Sequence, residues 1–331
     1  MSSTLRFTRP LPGTLRASAA LIGVVLIAGL VAQAIGGTTA SITVGLAAGS
    51  AMAYGTVMPT RVAAVVTLVG GAAAALGAAV SGDPWLSGLA VAAMVLVTAP
   101  ASAYSAGALM LAPLLTMVFA VVDRGWPWWQ AGIWGVVGGL VGLLITAILR
   151  FGKKAPTRLP WGVAWRHAVV VAIAAGANIV LAESLSLGHG YWVAATILVA
   201  LRPLPSERAG YLVQRNWGTL LGALIALLTI WLVPSAWLLP TALAYLVALA
   251  AYAMSGNYFL QTAFLTPMLM ILMSANEKSV AIELTIGRVL YTVVGVMIAA
   301  LLALGMQRWD RRSVPARDGE RQREARPEPA P

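Results

Sequence analysis

Cysteine is absent from this sequence, and histidine occurs only at His167 and His189. The first absence excludes a disulfide framework and any thiolate metal site. The two histidines fall in separate regions at opposite faces, so no metal-ligand cluster is formed from them. Charge is scarce as well. Only 10% of the 331 residues are Asp, Glu, Lys or Arg, where a soluble domain carries about a quarter. No Gly-Lys-Ser/Thr phosphate loop is present, so no ATPase is built into the chain. With no catalytic constellation and no cofactor motif, the sequence reads as a non-enzyme that binds no cofactor.

What the chain has instead is apolar surface. It is 60% hydrophobic, with 33 Gly and 12 Trp. Gly is tolerated inside membrane spans and Trp collects at the two interfaces. A spanning helix needs about 20 mostly apolar residues. Runs of that kind lie near 16–35, 40–58, 62–80, 86–103, 106–122 and 130–149, then near 167–186, 190–203, 216–233, 237–254, 258–274 and 283–306. The eighth is the shortest. These runs are too long and continuous for alternating barrel strands. The expectation is an all-α polytopic membrane protein with about twelve transmembrane helices. The stretch after Arg16 resembles a secretory leader ending at Ala32-Gln33-Ala34, but its length favours a retained first span.

The net charge of +11 suggests nucleic acid until its placement is considered. With the N-terminus in the cytoplasm, 19 of the 22 Lys and Arg fall on the cytoplasmic side, and only Arg124, Lys278 and Arg288 do not. That is a positive-inside pattern. It supports an even number of crossings, both termini in the cytoplasm and no nucleic-acid partner. The expected location is the cell membrane, plasma or inner.

Two halves echo each other. Arg16-Ala17-Ser18-Ala19 and Arg166-His167-Ala168-Val169 open spans 150 residues apart. At an offset of 154, Arg61 meets Arg215, Tyr104 meets Tyr258, and Pro113 meets Pro267. At 157, Ile133 to Gly138 meets Leu290 to Gly295. Six crossings per copy is even, so the copies are read as two parallel six-helix repeats. The organisation is then a cytoplasmic segment at 1–15, repeat one at 16–149, a basic linker at 150–165, repeat two at 166–306, and a disordered cytoplasmic tail at 307–331.

Intramembrane charge is costly and therefore informative. Glu183 ends span seven, and Arg288 lies about six residues, roughly 9 Å, into span twelve. A Glu183–Arg288 pair is one reading, with Arg288 drawing a carboxylate and Glu183 carrying a proton. The other is that Arg288 snorkels to the interface and Glu183 only ends a helix. Asn178 and Gln33 occupy comparable depths, as polar lining or as interhelical hydrogen bonds. Pro113 and Pro267 interrupt spans five and eleven at matching places. Asn257, Tyr258, Gln261, Thr262 and Thr266, with Gly256 before them, make span eleven the least lipid-like, so it is expected inside the bundle.

Span eight reads Tyr191-Trp192-Val193-Ala194-Ala195-Thr196, leaving through Leu201-Arg202-Pro203. Span nine opens on Arg215-Asn216-Trp217-Gly218-Thr219-Leu220-Leu221-Gly222. Arg288, Thr292 and Gly295 close the last span. This set resembles the fusaric acid resistance and aromatic acid exporter (FUSC) family of membrane transporters. The resemblance covers roughly 160–306 and reaches the first half only through the repeat. It implies a secondary transporter exporting small organic, including aromatic, acids with the proton gradient. A passive anion channel and a membrane scaffold without flux stay open as alternatives. Partners are then the lipid bilayer and a small organic anion, with a homo-oligomer left open. Read physically, Gly218 and Gly222 sit four apart like a small-x-x-x-small contact. Arg215 is expected to anchor to phosphates where span nine leaves the cytoplasm.

Overall fold

The computed structural model describes residues 9–10, 12–55, 58–103, 111–122, 125–148, 159–274 and 278–313. Tyr104, Ser105 and the linker's Arg150 to Arg158 lie outside these residues, as does the tail from 314. Eleven helices follow in order among the described residues: α1 (Pro12–Gly55), α2 (Thr60–Ala79), α3 (Pro84–Thr98), α4 (Leu111–Met117), α5 (Trp128–Ile148), α6 (Trp161–Ser184), α7 (Tyr191–Ala200), α8 (Pro205–Leu232), α9 (Ser235–Ser255), α10 (Tyr258–Met273) and α11 (Lys278–Ser313). No strand occurs among the described residues.

Among the described residues, eight helical segments are long and apolar enough to cross a membrane, and four more apolar helices are shorter, at Thr43–Met52, Ala112–Val122, Tyr191–Ala200 and Tyr258–Met273. The chain is a multi-pass membrane protein. The short segments fall where the sequence places spans two, five, eight and eleven. Large apolar side chains such as Trp231, Ile35 and Leu301 stand exposed on the bundle surface, as a lipid-facing surface requires.

Local chemistry sets the boundaries. α1 is two helices joined at Gly37, whose φ of 82° is costly for any residue with a Cβ. Pro84 and Pro205 occupy the first turns of α3 and α8, where a missing N–H is no loss. Asp83 caps α3 by accepting from the Leu86 N–H at 2.9 Å, and Asn257 caps α10 through Leu260 at 3.1 Å. Three helices start earlier or end later than hydropathy suggests. α6 begins at Trp161 rather than in a linker running to 165, and α11 continues through Ser313 rather than fraying at 307. α8 begins at Pro205, not near 216: Ser206, Glu207, Arg208 and Gln214 break the apolar run there, yet the stretch is helical.

Packing relies on small residues. A Cβ added to Gly135 of α5 would lie 3.0 Å from the Gly71 Cα of α2, and one on Gly138 would lie 2.6 Å from the Val44 carbonyl of α1. Such contacts let backbones approach closely without a hydrophobic drive between helices. α3 packs on α6 through Gly88 and Gly176, where an added Cβ on either would stand 2.7–2.8 Å from the other's carbonyl. α1 packs on α9, where the Ser18 hydroxyl reaches the Met254 sulfur at 3.3 Å. The largest core joins α3 to α6, α7, α8, α9, α10 and α11 around Val91, Val95, Ile179, Leu198 and Met270.

Candidate functional site

The site starts from a helix that is too short. α7 has ten residues, about 15 Å of rise, against a hydrocarbon core of about 30 Å. Its C-terminal carbonyls therefore need partners inside the bundle. His167 of α6, 3% exposed, sets its Nε2 2.7 Å from the Leu201 carbonyl. A carbonyl only accepts, so that nitrogen carries the proton. Arg208 of α8 is buried too. Its Nε donates to the Arg202 carbonyl at 2.9 Å and its Nη2 to the Pro203 carbonyl at 2.8 Å. Two neighbouring helices thus hold the exit of α7.

Beside this post, three helices each present a polar pair one turn apart. α8 carries Arg215 and Thr219, α10 carries Tyr258 and Thr262, and α11 carries Arg288 and Thr292. Residues four apart lie on one helix face. All six are buried, with Arg215 2% and Arg288 3% exposed. Nε of both arginines, the Tyr258 hydroxyl and the hydroxyls of Thr219, Thr262 and Thr292 find no hydrogen-bond partner. Arg215, Tyr191 and Tyr258 act electrostatically on Arg288, so the three faces converge. No carboxylate among the described residues pairs with either arginine. Buried polar atoms are normally satisfied, and a buried charge normally has a counter-charge. Six buried polar groups without a hydrogen-bond partner, two of them on cations, are chemistry that suits an anion.

Small residues bring these helices together. A Cβ on Gly218 would lie 2.7 Å from the Phe259 carbonyl and 2.8 Å from the Thr262 Cβ. One on Gly222 would lie 2.6 Å from the Ala263 carbonyl and 2.8 Å from the Thr266 Cβ. Pro267 lies within α10 and has no N–H, so the Ala263 carbonyl lacks its usual helical donor, and Gly222 packs against that freed oxygen. Gly295 does the same work between α11 and α7, where an added Cβ would stand 2.7 Å from the Thr196 Cβ.

Aromatic rings extend the site both ways. The Arg288 guanidinium lies 4.9 Å from the Trp192 ring centroid. His189, in the turn between α6 and α7, stacks on Trp192 at 4.8 Å and 15°. Burial lowers the His189 pKa from 6.5, and the Glu283 carboxylate partly opposes this. Tyr291 donates to the Leu187 carbonyl at 3.2 Å and ties the same turn to α11. In the other direction, Tyr258 contacts Tyr211 at 4.7 Å, and the Arg202 guanidinium sits 4.0 Å above the Tyr211 ring.

Several sequence expectations change. Arg215 does not anchor to phosphates, because α8 begins ten residues before it and draws it into the bundle. Arg288 does not snorkel, since it is enclosed against Trp192. The Glu183–Arg288 pair is absent. Glu183 is half-buried in the last turn of α6, and the groups around Arg288 belong to α7, α8 and α10. Gln33 is exposed on α1 and lines nothing with Arg288. Asn178 is half-buried with an unpartnered Oδ1, and the structure does not bring it to the arginines. Pro113 is buried in the first turn of α4, in the other half. Gln261 is half-buried and Thr266 fully buried on α10; Thr266 donates to the Thr262 carbonyl at 3.3 Å. Tyr191 and Pro203 bound α7 at its two ends, and both are buried. His167, Arg208 and His189 are functional candidates that the sequence does not single out, and Tyr258 with Thr262, expected only as polar groups of an interior helix, stands beside the two arginines. The recurring Arg-x-x-x-Thr, Tyr-x-x-x-Thr and Arg-x-x-x-Thr spacing is the signal that links Tyr258 and Thr262 to the arginines.

Residues 173–302 match the family described as fusaric acid resistance protein-like. Inner membrane protein YccS of Escherichia coli (strain K12) is 29% identical over 157 residues, which are 47% of this chain and 22% of that protein. The chain thus spans less than a quarter of the length of that relative. No solved structure matches the chain. The matched region contains Arg215, Tyr258 and Arg288 with their threonines. The region similar to the fusaric acid resistance protein-like family therefore lies in the second half of this membrane protein, the half that holds both unpaired arginines.

Proposed function

We propose that the chain is a secondary transporter that exports small organic anions, aromatic acids among them, and that Arg215 and Arg288 hold the anion in transit. The observation that carries this reading is the set of three i, i+4 polar pairs, buried and unpartnered, around two cations in an apolar bundle. Aromatic walls at Trp192, Tyr191 and Tyr258 suit a flat ligand. The name of the matched family points to the same class by analogy.

In the proposed architecture, twelve crossings form two parallel six-helix repeats with both termini in the cytoplasm. The reciprocal packing supports it, since α3 of the first half meets α6, the opening helix of the second, and α9 of the second half meets α1. The distribution of Lys and Arg supports the orientation. Driving by the proton gradient needs a titratable group against the site. His189, stacked on the ring that carries Arg288, is the proposed group in place of Glu183.

The test is efflux of a labelled aromatic carboxylate from sealed proteoliposomes under an imposed proton gradient. Arg288→Gln and Arg215→Gln should each abolish efflux, and collapse of the gradient should stop it. Unchanged efflux in both variants would remove the site from the pathway. Voltage-driven currents persisting without a proton gradient would instead favour a passive anion channel.

A further inference from the structure

Charge counting at the α8–α10–α11 site goes beyond the choice of an anion over a cation. Arg215 and Arg288 are both enclosed and feel each other's charge. No acidic group among the described residues pairs with either. Like charges repel more strongly in a poorly screened interior than in water. A monoanion offsets one guanidinium and leaves the other uncompensated. A ligand with two charges offsets both.

The donors are arranged in two sets. Each guanidinium is a planar fork that suits a two-pronged carboxylate contact. Arg215 and Arg288 stand on different helices, and each has its own threonine one turn along the same face. Tyr258 and Thr262 approach from α10 with neutral hydroxyls that carry no counter-charge. Two Arg–Thr sets on two helices match two separated carboxylates better than one compact anion.

We infer that the preferred occupant is a small organic dicarboxylate, one carboxylate at Arg215 and Thr219 and the other at Arg288 and Thr292. This rests on the anion-transport reading above and narrows it to doubly charged acids. Neither helix alone completes the site, so binding fixes the distance between α8 and α11.

Calorimetric titration of the full chain in detergent tests this with matched pairs: succinate against butyrate, and phthalate against benzoate. Sulfate serves as the compact inorganic dianion. The titrations run at roughly pH 7.5, where carboxylates are ionised. Each diacid should bind at least about tenfold tighter than its monoacid, a difference of about 1.4 kcal/mol. Arg215→Gln should erase that preference, and Arg215→Lys, which keeps the charge if the glutamine variant fails to fold, should retain part of it. Equal or tighter monoacid binding would overturn the dicarboxylate assignment while leaving the anion site standing. Sulfate binding tighter than either diacid would overturn the two-carboxylate arrangement. Absence of binding by all five would remove the anion reading itself, and this inference with it.

Discussion

Replacing Gly222 by alanine tests how the site is held together. The added Cβ would lie 2.6 Å from the Ala263 carbonyl oxygen and 2.8 Å from the Thr266 Cβ. Ordinary contact is about 3.5 Å, so α8 must retreat from α10 by about 0.9 Å. The obstructing oxygen is main chain, so no rotamer change relieves it. Overpacking of this kind costs about 1–3 kcal/mol. Alanine also recovers about 1 kcal/mol of helix propensity over glycine. Gly305→Ala isolates that second effect, because Gly305 lies in α11 with nothing within 4 Å of an added Cβ. The control should therefore be stabilised by about 1 kcal/mol. Gly222→Ala should fall about 1–3 kcal/mol below the control. Reversible unfolding in mixed detergent reads both values. Efflux should fall in Gly222→Ala alone, since Arg215 shares the displaced helix. If Gly222→Ala matched Gly305→Ala in stability, the close approach of α8 and α10 would be wrong, and with it the geometry assigned to the arginines.

Arg208→Ala should destabilise the protein by about 3–5 kcal/mol, because the Arg202 and Pro203 carbonyls lose charge-assisted donors; limited proteolysis between α7 and α8 would report it, and an intact turn would refute it. Folded His189 releases its proton more readily than the unfolded chain, because burial lowers its pKa from 6.5. The unfolded state therefore binds more protons below pH 6.5, and stability falls as pH drops through that value. His189→Gln should flatten that slope in melting curves taken across the range. Asp83→Ala removes the cap of α3 and should cost about 1 kcal/mol, visible as a lower midpoint with unchanged efflux.

Membrane class was legible because apolar runs report burial in lipid directly. Helix starts were less so. The stretch from Pro205 to Gln214 carries Glu207 and Arg208 and reads as a basic loop, yet it is helical, and its Arg208 turns inward to the carbonyls behind α7. That single misreading moved Arg215 from the headgroups into the bundle. Glycine spacing at Gly218 and Gly222 announced a close contact but not its partner, since the facing helix is set by tertiary packing. Glu183 and Arg288 were matched by depth, and depth says nothing of which helix face a residue occupies. The repeat proposed from the sequence has a similar limit. It aligns Gln33 with Glu183 in place, but Gln33 faces outward. At the offsets of the proposed repeat, Arg61, Val65, Ala131 and Gly135 stand where Arg215, Thr219, Arg288 and Thr292 do, so neither Arg–Thr pair has a counterpart in the first half. The Arg–Thr spacing was present throughout, but its meaning depends on three helices converging.

The fastening of α7 also bears on how the chain is made. Its exit carbonyls at Leu201, Arg202 and Pro203 are satisfied by His167 and Arg208, which belong to the helices immediately before and after it. Left alone in hydrocarbon, those carbonyls would each cost several kcal/mol. α7 therefore has no stable resting place until α6 is beside it and the first turn of α8 has emerged. Both side chains that satisfy these carbonyls lie within residues 161–232, whereas the packing of Gly295 against Thr196 comes later, with α11. The polar fastening of this short helix is thus local in sequence, complete within three consecutive helices, while its apolar packing is not.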